Sequence, residues 1–181
     1  QQGEAWTWEH MALLRGRPVY GSAARRARLG ETVKAVLAAK HDPDRVRADA
    51  ATMRAEMARH KPPSGPLDIK LGPGGLVDLE FAVHVLQLVN GKGFDPRLEH
   101  AIAQLAAAGL IDRQADADLR LLSAILVTLR LVAPDGREPP PESRPLVADV
   151  CGHEDWDSLL AAHDAARQRV AALWAGVREG H

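Results

Sequence analysis

The stretch "DIKLGPGGLVDLEFAVHVLQLVNG", Asp68 to Gly91, decides the fold. A lysine leads into a glycine-rich loop, and the loop runs directly into a segment that reads as one helix. The spacing predicts that helix over Leu76 to Asn90, with Gly91 ending it. On a helical wheel Glu80, His84 and Gln87 form one narrow polar stripe, and most of the remaining surface is apolar. A helix of this kind is buried on most sides, so it should be the central element of a bundle. Asp78 points nearly opposite the stripe, into the sector of Phe81, Ala82, Val85 and Val89.

Outward from this helix, nearly all of the chain reads the same way. Ala, Leu, Arg and Glu dominate, and Gly and Pro fall between periodic segments rather than inside them. A first helix is expected over Glu4 to Leu14, stopped before Pro18, and a second over Ser22 to Ala39. In "HDPDRVRADAATMRAEMARHK" Asp42 caps a third and Pro43 suits its first position, with Val46, Met53 and Met57 at helical spacing. The irregular stretch from Pro62 to Gly75 contains "LDIKL", which reads as a short extended segment. Asp95 is expected to cap a fifth helix running from Pro96 to Gly109. A sixth covers Asp112 to Val132, with Leu119, Leu122, Ile125, Leu126, Leu129 and Val132 on one face. "APDGREPPPESRP" is a loop, because three consecutive prolines do not continue a helix. A short helix over Pro145 to Val150 and a last one over Glu154 to Arg178 complete an all-α bundle of six to eight helices, without a substantial sheet.

Composition narrows the class of function. The 181 residues are 46% hydrophobic and 26% charged, enough for one ordinary domain with a real core. A formal net charge of −1 advertises neither a nucleic-acid nor an anionic-membrane partner. No apolar run is long enough to span a bilayer. The single Cys151 fits a reducing cytoplasm. "QQGEAW" lacks a signal-peptide pattern and a starting methionine, so the chain reads as a piece of something longer, taken as one domain over residues 1–181.

Local chemistry leaves the glycine loop with two readings. Gly74 and Gly75 ahead of a helix present unpaired N–H groups that favour an anion, with Lys70 as an added charge, or they make a tight turn into the helix. The P-loop spacing is absent. Asp78 either stabilises the helix end or is fixed beside the loop to orient it or to hold a cation. Arg15 and Arg17 complement the end of the first helix, or serve as bidentate partners for phosphate. Glu80 and His84 are spaced for a metal but lack a third ligand. "ADAD", Ala115 to Asp118, lies where acids are expected at a helix start, and Cys151 with His153 shows no activation. Neither a metal site nor a catalytic set is expected within the chain.

Two motifs carry a family resemblance. "AWTWEHMALLRGRPVYG" and "LDIKLGPGGLVDLEF" resemble signatures of the bacterial glutamine-synthetase adenylyltransferases. Trp6, Trp8, Glu9, His10, Arg15 and Arg17 match the first. Asp68, Ile69, Lys70, Gly74, Gly75, Asp78, Glu80 and Phe81 match the second, with Gly16 and Leu67 as modest departures. "MRAEMARH" and the closing "ARQRVAALW" are similar to the family's intervening and final helices. The resemblance implies the helical domain following a nucleotidyltransferase domain, in the half that moves AMP from ATP onto a tyrosine of glutamine synthetase. The family's metal-binding carboxylates lie upstream, in a segment this chain lacks, so the chain alone should be inactive. ATP and Mg²⁺ are then cofactors of the parent enzyme and are not expected to bind this piece tightly. Implied partners are the transferase domain, glutamine synthetase and a PII-type signalling protein. Lys70, Gly74, Gly75, Arg15 and Arg17 become candidates to face nucleotide, and Glu9, His10, Asp78 and Glu80 candidates to orient or dock. Two alternatives are a non-catalytic module transmitting glutamine or PII-type control, and the related uridylyltransferases, whose glycine–glycine–acid motif is similar but which the "AWTWEH" stretch disfavours.

Overall fold

A computed structural model describes residues 6–180. Among them are eight α-helices and no strand: α1 Thr7–Leu14, α2 Ala23–Leu37, α3 Pro43–His60, α4 Leu76–Asn90, α5 Leu98–Ala107, α6 Gln114–Val132, α7 Arg144–Val150 and α8 Trp156–Glu179. A 3₁₀ turn, Pro141–Ser143, precedes α7. The expected start of the first helix at Glu4 lies outside the described residues.

The central position of α4 follows from its two apolar faces. Leu79 and Val83 join a core made with Ile102 and Leu105 of α5, Leu122 and Ile125 of α6, Val147 of α7 and Leu159 of α8. Val77, Phe81, Ala82, Val85 and Leu88 join a second core with Met11 and Leu14 of α1, Val46 and Ala50 of α3, and Trp174 and Val177 of α8. Full burial of one such aliphatic side chain contributes about 1.5–3 kcal/mol, so a helix placing five or more in two cores anchors the bundle. Its end is fixed by Gly91, whose left-handed φ of 61° closes the last turn. The Phe81 and Trp174 rings meet edge to face, 5.9 Å apart, where α4 crosses α8.

Two local expectations are corrected. "LDIKL" is not extended. Asp68 Oδ1 accepts from the N–H groups of Lys70 and Leu71 at 3.2 and 2.9 Å, while Oδ2 accepts from Ser64, and this folds the segment into turns. A carboxylate that bonds its own downstream backbone outcompetes strand pairing for which no partner strand exists. Asp95 does not cap α5 directly either. It accepts from the Arg97 N–H at 2.9 Å in a turn, and the helix begins two residues later than expected, at Leu98.

Candidate functional site

The head of α4 is held by two arginines from distant helices and by its own Asp78. Arg54 of α3 donates from Nε to Asp78 Oδ1 at 2.5 Å and from Nη2 to the Leu71 carbonyl at 3.0 Å. The other oxygen of Asp78 accepts from the Gly74 N–H at 2.6 Å. Both side chains of this ion pair are buried, so each charge depends on the other. From the opposite side Arg167 of α8 donates to the Pro73 carbonyl at 2.8 Å and to the Pro66 carbonyl at 3.2 Å. Asp78 is thus tied to the glycine loop and to a cation at once.

The glycines are needed for close approach. A Cβ on Gly74, at φ +70°, would stand 2.1 Å from the Arg167 carbonyl oxygen, and one on Gly75 would stand 2.5 Å from that of Ile69. The expected unpaired N–H groups are not found at the loop. Gly72, Gly74 and Gly75 donate to Asp68, Asp78 and Gly72, and the first helical N–H groups, on Leu76 and Val77, donate to the Ile69 and Lys70 carbonyls. The turn formed by "LDIKL" supplies those carbonyls. What the loop presents outward is the exposed side chain of Lys70.

Lys70 borders two large clefts that share the polar stripe of α4. The first, about 660 Å³, is lined by Met11, Met53, Met57, Val77 and Phe81, with charged groups including Arg15, Glu56, Lys61, Lys70 and Glu80 around it. The second, about 530 Å³, runs between α4, α5 and α6 and is more polar. Arg15, Lys70, Val77, Glu80 and His84 are common to both. Arg15 reaches Glu80 at 2.8 Å, which brings the end of α1 over the stripe.

The structure sorts the remaining candidates. Arg17 is exposed and lines neither cleft. Glu9 accepts from the Trp6 N–H at 2.7 Å and caps α1. His10 lies edge to face with His41, 4.7 Å away, and burial followed by the neighbouring His41 lowers its pKa. Neither Glu9 nor His10 lines the clefts. Arg54 and Arg167 were not singled out from sequence. Arg54 had a signal: with Val46 and Ala50 it completes an i, i+4, i+8 stripe on the buried face of α3, where a cation requires a carboxylate. No group of three or more metal-ligating side chains gathers among the described residues.

His84 is buried beneath the Arg15–Glu80 pair, and burial, then the Arg15 charge, lowers its pKa to about 4. The unfolded chain therefore takes up a proton first as pH falls below 6.5, and the folded chain only near 4. Stability linked to His84 is complete above pH 6.5 and is lost on acidification, by roughly 3 kcal/mol at the low end. Urea unfolding at pH 7 and at about pH 4.5 checks this. His84→Gln should make the loss shallower but not abolish it, because burial and then Arg167 lower the pKa of His163 in the same direction.

Comparison with known proteins gives the family. A family model described as GlnD PII-uridylyltransferase matches residues 45–177. The bifunctional glutamine synthetase adenylyltransferase/adenylyl-removing enzyme of Brucella suis is 35% identical over 169 residues, 88% of this chain and 17% of that protein. The protein of the same name from Mesorhizobium japonicum is 40% identical over 131 residues, 71% of this chain and 13% of its own length. That from Bradyrhizobium diazoefficiens is 31% identical over 192 residues, covering 99% of this chain and 19% of the relative. The chain spans less than a fifth of the length of these curated relatives. The uridylyltransferase kinship read from the glycine–glycine–acid motif stands at the level of the family model, whereas these relatives are named adenylyltransferases. Matched by that model over most of its length, the chain belongs to the GlnD PII-uridylyltransferase family, and the curated proteins it resembles are glutamine synthetase adenylyltransferases.

Proposed function

We propose that this chain is the helical domain of an enzyme that transfers AMP from ATP to a tyrosine of glutamine synthetase, and that the head of α4 faces the active site. The observation that carries the reading is the clamped loop. Arg54, Asp78 and Arg167 fix a turn from which Lys70 projects between two clefts that Arg15 also borders. A cation on a rigid support is suited to phosphate oxygens, since little ordering is left to be done when the ligand arrives. Contact falls to side chains, because the backbone donors of Gly74 and Gly75 are already committed. The methionine-lined cleft alongside suits a purine base or the aromatic ring of a target tyrosine.

Adenylyl transfer also needs carboxylates that hold Mg²⁺, which neutralises charge on the phosphates. No group of three or more metal-ligating side chains gathers among the described residues, and this reading assigns those carboxylates to a partnering transferase domain. Lys70→Ala in the full-length enzyme should lower the rate of glutamine synthetase adenylylation about tenfold or more, with thermal stability near wild type, since one transition-state contact to phosphate is worth at least that much. An unchanged rate would count against the reading.

A second reading has its own support. After α1, Val19 and Tyr20 are 79% and 94% exposed, and Trp6 and Trp8 also stand out from the surface. Exposed aromatics of this kind suit docking, here of the transferase domain, with the helical domain transmitting glutamine or PII-type control. The two readings are compatible, since docking on α1 would bring a partner close to Arg15.

A further inference from the structure

Lys70 and a second cation, Arg130, line the same pair of cavities. Lys70 stands on the loop ahead of α4, and Arg130 lies in the last turn of α6. Both border the 530 Å³ cleft and a smaller hollow of about 220 Å³ beside it. Both are exposed, and neither has an ion-pair partner among the described residues. Arg15 forms a third corner. It uses one guanidinium nitrogen on Glu80, which leaves further donors of its fork.

The rest of the cleft is built to receive something polar. Of its three acids, Glu80 is engaged by Arg15 and Asp95 by Arg97 and His100, while Glu99 is exposed. Gln87 lines it and is only 1% exposed. Its Nε2 donates to the Gly93 carbonyl at 2.5 Å, and its Oε1 has no partner. A buried acceptor left unsatisfied is costly and calls for a donor. Ser123 adds a hydroxyl to the wall.

We infer that this cleft is a phosphoryl-binding site in which Arg130 and Lys70 contact the phosphate oxygens, with Arg15 as a third donor and Gln87 accepting an N–H or O–H of the ligand. The ligand class is a phosphorylated small molecule. A nucleotide supplies both features, whereas free phosphate or pyrophosphate supplies only the anion. The inference rests on the proposal that Lys70 faces phosphate, and it extends that site across to α6.

Isothermal titration of the chain with pyrophosphate, and separately with a non-hydrolysable ATP analogue, tests it. Arg130→Gln should weaken binding of both by about tenfold, the scale of one charge-assisted hydrogen bond, with helicity by circular dichroism unchanged. Tighter binding of the ATP analogue than of pyrophosphate identifies the nucleotide as the natural source, and equal binding identifies the free anion. Either outcome supports a phosphoryl site. Wild-type affinity in Arg130→Gln, or no binding of either probe to the wild-type chain, overturns it. The two proposals fail separately. If Lys70→Gln weakens binding and Arg130→Gln does not, only the extension to α6 falls. If Arg130→Gln weakens binding while adenylylation by full-length Lys70→Ala is unchanged, only the active-site reading falls.

Discussion

Gly74→Ala is expected to destabilise the chain by about 3 kcal/mol or more, because a left-handed backbone at a non-glycine residue costs about 1–2 kcal/mol and forced overpacking about 1–3 more. The geometry leaves no escape by rotamer change. The new methyl would sit 2.1 Å from the Arg167 carbonyl oxygen and 2.8 Å from its carbon, both backbone atoms of α8. Relief requires separating the loop from α8, which would break the bonds from Arg167 to Pro73 and Pro66. A fall in melting temperature of roughly 10 °C is the corresponding signal for a domain of this size. Gly91→Ala is the internal comparison. It shares a positive φ, at 61°, but a Cβ there meets nothing within 4 Å, so its cost should be the backbone term alone. Equal stability of the two variants would mean that contact with α8 does not govern the loop.

Arg54→Met is the second large effect, at about 3–5 kcal/mol, the cost of leaving a buried carboxylate without its partner. Methionine keeps much of the volume but removes the donors to Asp78 and to the Leu71 carbonyl. Adding Asp78→Asn should recover part of the loss, since a neutral amide is cheaper to bury than a charge. Equilibrium unfolding of both single variants and the double variant measures the coupling. Additive losses would show that the pair is not a unit.

Much of the architecture is written in short-range signals. The ends of α4 follow from Gly75 and Gly91 flanking an apolar run, and α3 begins where Asp42 and Pro43 place it. Its two apolar faces also make α4 central, because a helix with one polar stripe has to be covered on both sides. The misread places are those where a side chain captures nearby backbone: Asp68 turns "LDIKL", and Asp95 holds the residues before α5.

The site was legible in part. Lys70, Arg15 and Glu80 come together around the α4 stripe, whereas Arg17 lies apart and Glu9 caps its own helix. Periodicity does not reveal that Arg54 reaches 24 residues along the chain to Asp78, or that Arg167 reaches back 94 to Pro73. Those contacts are fixed by which helices pack, and a local pattern carries no record of that. The loop's apparent supply of free donors disappeared for the same reason. Its N–H groups are taken by carbonyls that only a turned, not an extended, preceding segment can offer.

The most direct measurement is the initial rate of glutamine synthetase adenylylation by full-length Lys70→Ala, with Arg17→Ala alongside as an exposed cation outside both clefts. An active-site role for the head of α4 predicts a rate about tenfold lower or more for Lys70→Ala, near wild-type activity for Arg17→Ala, and matched melting temperatures. Equal rates for the two variants at matched stability would contradict it.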